Sequence, residues 1–128
     1  MLRILDAQMA HLAKRTKRRF ATLIERYLRT SFASWVVPLS DQHLHAWVEH
    51  ALGKAECYGV TTEPEAAQLV LLFLVLGADA DERLPWVRET LGARNLAPVG
   101  KVKRLIALSR EHRVAGVEHV VVYAGMEN

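Results

Sequence analysis

Six histidines, one cysteine and fourteen carboxylates are the side chains through which this chain could do acid–base, nucleophilic or metal chemistry. Their spacing argues against each. His43 and His45 stand two residues apart, so a helix would send them to different faces. His43 and His50 share a face two turns apart, but no third ligand follows at a matching interval and there is no His-Glu-x-x-His. No metal and no cofactor is expected. Cys57 follows His50 by seven residues, about 10 Å along a helix, which is too far for a nucleophile and its base. It reads instead as a small hydrophobe of the core.

The carboxylates fare no better. Glu49 and Glu56 lie two turns apart on a polar face, and Glu63 and Glu65 sit in the first turn of a helix, with nothing in either pattern to perturb them. Asp79, Asp81 and Glu82 resemble a cation loop only briefly. Such a loop spreads oxygen ligands over about twelve positions, and here Leu84 and Pro85 interrupt it. Asp81 is expected to cap the following helix, with Glu82 favouring the same dipole end. The seven glycines are assigned to helix ends and turns, so no phosphate-cradling loop is expected. These residues do not point to an enzyme.

Binding is the remaining chemistry. The run from Lys14 to Arg19 is almost continuously basic, and Lys101, Lys103 and Arg104 form a second patch. No recognition helix can be placed at helix-turn-helix spacing, and the aromatic residues fall at core positions and not between the basic ones. Lys14, Arg15, Arg18 and Arg19 are therefore assigned to contact with a partner protein, with a nucleic-acid-associated regulator as the alternative. Formal charge runs +6 over residues 1–30, −6 over 31–93 and +3 over 94–128. That alternation also allows a homodimer in which the basic end of one copy meets the acidic centre of another.

The elements that position these groups are helices. One long helix is expected from Arg3 to Ser34, its stripe formed by Leu5, Met9, Leu12, Thr16, Phe20, Leu23 and Tyr27, with Ile24 and Leu28 widening it. Its first nineteen residues are free to project. Ser34–Leu39 is a connection whose apolar residues pack inward, turned by Pro38. A second helix runs from Asp41 to Tyr58, capped by Ser40 and ended by Gly59. Thr62 and Glu65 form a capping box ahead of a third helix, which is apolar nearly all round and ends at Gly77. Ala78–Glu82 is an acidic loop, Leu84–Leu91 a short helix, and Val99–His112 a final clear one. The tail from Val114 docks as an extended or helical segment, or offers Val121 and Tyr123 to a second molecule.

These elements make an all-α fold, a compact bundle of about five helices with one long N-terminal helix, in a single domain over 1–128. Apolar residues make up 51% of the chain, enough for a core without disulfides, which one cysteine could not form. The greasy run 66–78 is too short to span a bilayer, and the N-terminus lacks the charge order of a signal peptide. A cytoplasmic, non-membrane protein is expected.

The order Tyr58-Gly59-Val60-Thr61-Thr62-Glu63, an apolar helix ending in Leu76-Gly77, then Asp79, Asp81, Pro85 and Trp86, resembles a class of small helical proteins. These are encoded beside type VI secretion and polymorphic-toxin effector genes in Gram-negative bacteria. Their pattern is Tyr-Gly-Ile-(Ser/Thr)-x-Glu, an apolar stretch, then Gly-x-x-Phe-Asp before a Pro-Trp pair. Val60 stands here for isoleucine and Ala80 for phenylalanine. The resemblance covers about a third of the chain and carries no catalytic residues. It implies an accessory role as chaperone, adaptor or immunity protein for a co-encoded partner, a secreted effector among the candidates.

Overall fold

A computed structural model describes residues 18–121. The chain is all-α: the described residues contain no strand, and five of their helices run for seven residues or more. In order these are α1 (18–31), α2 (Ala33–Val36), α3 (Asp41–Cys57), α4 (Glu63–Leu76), α5 (Ala80–Arg83), α6 (Pro85–Leu91), α7 (Pro98–Glu111) and α8 (117–121). They fall into two compact units, Met1–Val48 and Glu49–Asn128, whose boundary lies inside α3.

In the first unit, the buried line of α1 is Ala21, Ile24, Leu28 and then Phe32, while Leu23 stands 52% exposed. The expected stripe through Phe20, Leu23 and Tyr27 is thus rotated by about one residue. The apolar positions of α1 outnumber those one face can bury, and periodicity alone does not choose among adjacent registers. The expected run to Ser34 also breaks, because Phe32 leaves helical geometry (φ −123°, ψ 35°) and α2 starts afresh. No glycine or proline causes this. The Arg29 guanidinium does much of the work, donating to the Val36 carbonyl at 2.8 Å and the Leu39 carbonyl at 2.6 Å, which draws the chain back over α1. Val36 is fully buried as expected, but Val37, expected inward, is 74% exposed. Ser40 caps α3 as its position predicted, its hydroxyl accepting from the His43 N–H at 3.1 Å.

The second unit is built around α4, in which every residue from Ala66 to Phe73 is buried. Its all-round hydrophobicity is met by cover on all sides, with α7 packed against it and α6 against both α5 and α7. Gly59 ends α3 at φ +77°, as the sequence indicates, and the Val60 N–H reaches back to the Ala55 carbonyl at 2.8 Å. Gly77 is required by its φ of +113°, a backbone conformation that L side chains rarely adopt. Gly53 departs from the expected pattern, lying in the middle of α3 with open space where its Cβ would be. The Thr62–Glu65 pair also differs from a capping box, since the Thr62 hydroxyl bonds the Glu65 carboxylate and caps no backbone N–H.

Two further expectations are overturned in this unit. The acidic loop folds into α5, and Asp81 caps nothing; it is buried, with 6% exposure. Cys57 is exposed and not a core residue, because the buried line Ala51–Ala55 passes the other side of α3. In the described part of the tail, α8 buries Val117 and Val120, and Arg110 donates to both Glu118 oxygens at 3.1 and 2.9 Å.

Ser109 carries a small liability in α7: its side chain is fully buried, and its hydroxyl has no hydrogen-bond partner among the described residues. Ser109→Ala removes that desolvated group and improves helix propensity. It should stabilise the fold by about 1 kcal/mol, read as a rise of a few degrees in Tm. A fall in Tm would mean that the hydroxyl is satisfied in solution.

Candidate functional site

The most concentrated polar chemistry lies in the second unit. Lys54, in the last turn of α3, donates to the Ala78 carbonyl at 2.7 Å and to Asp81 Oδ1 at 2.6 Å, with Glu82 Oε2 at 3.5 Å. The Tyr58 hydroxyl donates to the other Asp81 oxygen at 2.7 Å. Lys101 of α7 donates to the Tyr58 carbonyl at 2.8 Å, and the Lys54 ammonium sits 5.4 Å from the Phe73 ring centroid. Burial alone would raise the Asp81 pKa, but hydrogen bonds from Lys54 and Tyr58 and the Lys54 charge hold it below 3.8. Burial likewise pulls Lys54 down, and the hydrogen bond and charge of Asp81 outweigh it, leaving Lys54 above 10.5. Burial and the bond to Asp81 push Tyr58 up to about 12.

Both Asp81 oxygens are occupied and the Lys54 ammonium is surrounded by acceptors, so this network is built as a tie between α3, α5 and α7. It keeps Lys54 charged and Tyr58 neutral, the states least useful for proton transfer near neutral pH. The sequence reading missed it, although a signal was present: Tyr58 and Asp81 both carry the resemblance, and the fold brings them together across 23 positions. The Pro-Trp pair of that motif is also placed, with Trp86 stacked on His112 at 4.5 Å between centroids and 8° between planes.

The remaining candidates are surface groups. Among the described residues no three His, Cys, Asp or Glu side chains are placed to hold a metal ion. No helix among them is long and apolar enough to cross a membrane. Of the residues assigned to partner contact, Arg18 and Arg19 are exposed on α1 and Val121 is half-buried on α8, while Lys14, Arg15 and Tyr123 lie outside the described residues. Lys101, placed in the second basic patch, is buried against Tyr58, leaving Lys103 and Arg104 exposed.

The structure adds to Arg18 and Arg19 a surface the sequence reading did not assemble. Arg19, Leu23 and Arg26 follow one another at four- and three-residue spacing on the exposed side of α1. Beside them lies an open groove of about 370 Å³, lined by Thr22, Glu25, Arg26, Arg29, Thr30, Asp41 and Leu44. Most of its polar groups are committed. Arg29 bonds Asp41 at 3.1 Å, Glu25 meets His45 Nδ1 at 2.5 Å, and the Thr22 and Thr30 hydroxyls each donate to the carbonyl four residues earlier at 2.9 Å. What α1 leaves open is basic and apolar together. No family model matches the chain, and neither a curated protein nor a solved structure is found to match it.

Proposed function

We propose that this chain is a non-catalytic protein-binding domain that serves a co-encoded partner as chaperone, adaptor or immunity protein. The observation that carries the reading is the α1 surface, where Leu23 stands half-exposed between Arg19 and Arg26. Arginine around an exposed aliphatic is the composition of protein interfaces, where apolar contact supplies affinity and charge supplies orientation. The buried network in the second unit supports the reading from the other side, because its ionisable groups are spent on holding helices together. The resemblance around Tyr58–Trp86 supplies the partner's class.

The test is affinity purification of the tagged full chain from its native cell, washed at low and at high salt. One co-encoded protein should survive both washes, and Arg18→Glu with Arg19→Glu should reduce its recovery about tenfold at low salt while the melting curve is unchanged. Recovery of nucleic acid alone, released by moderate salt, would overturn the reading in favour of a nucleic-acid-associated regulator, since phosphate contacts weaken steeply with salt.

A further inference from the structure

We propose that this chain pairs with a second copy of itself, the exposed ridge of α1 in one copy seating against the exposed face of α3 in the other. The pairing uses the α1 surface of the protein-binding reading but is tested on the purified chain alone. On α1, Arg19, Leu23 and Arg26 stand exposed at positions i, i+4 and i+7. On α3, Glu49, Gly53 and Glu56 stand exposed at the same intervals. That spacing puts each trio on one side of its helix, with the outer two residues about 10 Å apart in both. Cation, aliphatic, cation therefore faces anion, bare backbone, anion. The match holds whether the two helices run parallel or antiparallel, and each trio lies within one compact unit.

Gly53 is the position that selects this occupant. It lies in the interior of a 17-residue helix, where glycine is a poor helix former. Its φ is not positive, and a Cβ built there would meet nothing within 4 Å. Alanine would fit the fold and favour the helix, so the fold itself does not ask for glycine. A facing helix can use it, because a leucine enters such a gap as a knob and lets the two backbones approach. Leu23, 52% exposed between two arginines, supplies the knob, and Arg19 and Arg26 then reach the flanking carboxylates. A phosphate backbone would satisfy the arginines but leave Leu23 and the α3 face unused. A second copy covers both. The charge pairs, being exposed, set orientation more than strength.

Sedimentation velocity of the purified full chain, from about 1 to 300 μM at low salt, should show a reversible monomer–dimer equilibrium. Gly53→Gln should weaken the dimer about tenfold, while the melting curve of dilute protein stays unchanged or moves up, because glutamine favours the helix. Leu23→Ala should weaken it similarly. Charge exchange is the sharpest arm. Arg19→Glu with Arg26→Glu makes both ridges acidic, and Glu49→Arg with Glu56→Arg makes both basic, so each variant alone should stay monomeric. Mixed, they should associate, since each ridge then meets its opposite, and Gly53→Gln in both should weaken that complex too. A wild-type chain monomeric throughout the range, a dimer indifferent to Gly53→Gln, or exchanged variants that do not associate when mixed would overturn the pairing. Failure here separates from failure of the broader reading. A chain that stays monomeric yet captures a co-encoded protein removes the pairing and leaves protein binding. A dimer that captures nothing from the cell leaves the pairing and removes the accessory role.

Discussion

Leu71→Asp should abolish cooperative thermal unfolding of this protein. Leu71 is 1% exposed and sits within a helix whose residues 66–73 are all buried, so no rotation of α4 delivers the new carboxylate to water. The substitution removes an aliphatic side chain from a packed interior and replaces it with an ion that has no counter-charge provided. The first effect costs about 2–5 kcal/mol, and the second adds several more even if the carboxyl protonates. Domains of this kind have about 5–15 kcal/mol in total. Circular dichroism should show a broad, weak transition, whereas Leu71→Met, which conserves volume, should lose less than about 1.5 kcal/mol. A melting curve unchanged by the aspartate would contradict the burial of α4.

Asp81→Ala should be the most destabilising substitution among the polar residues, at about 3 kcal/mol. It leaves Lys54 with the Ala78 carbonyl and the more distant Glu82, and deprives the Tyr58 hydroxyl of its acceptor. The remaining neighbours keep the loss near the lower end of what a broken buried pair costs. If the damage comes from orphaned groups, removing all three should repair most of it. Lys54→Met with Tyr58→Phe and Asp81→Leu should recover much of the stability that Asp81→Ala loses, since a buried pair is often no better than apolar residues of its size.

The same network sets the pH response. The folded Asp81 pKa lies below its unfolded 3.8, so its contribution is present above that value and drains away as pH falls through the folded pKa. Lys54 is raised above 10.5 and Tyr58 to about 12, so their contributions are complete below their unfolded values and fade as pH climbs through the folded ones. Chemical denaturation across pH should show a plateau between these limits, and the acid limb should be shallower in Asp81→Ala. An equal acid limb in both proteins would place acid sensitivity elsewhere.

Elements announced by local chemistry were legible in the residues alone. Ser40 starts α3, Gly59 ends it, Gly77 ends α4, and the unbroken apolar run of α4 calls for cover on every side. Each of these signals works within one or two turns of chain. The exposed arginines of α1 were legible too, as charge that a helix leaves in water. Leu23, Arg26 and the groove were not, because which residues of α1 face outward depends on which apolar register the neighbouring elements bury.

By itself, then, the sequence determined an all-α chain with its principal helices near their true ends, since caps, glycines and periodicity act locally. Only the tertiary structure decided where α1 breaks, that Ala80–Arg83 folds into a turn of helix, that Cys57 faces out, and that Asp81 faces in. The break at Phe32 depends on Arg29 reaching carbonyls seven and ten positions away, and the place of Asp81 on Lys54 27 positions earlier. A carboxylate reads as a surface residue or a cap until a cation and a donor arrive from distant helices to make its burial affordable, and no pattern along the chain records that meeting.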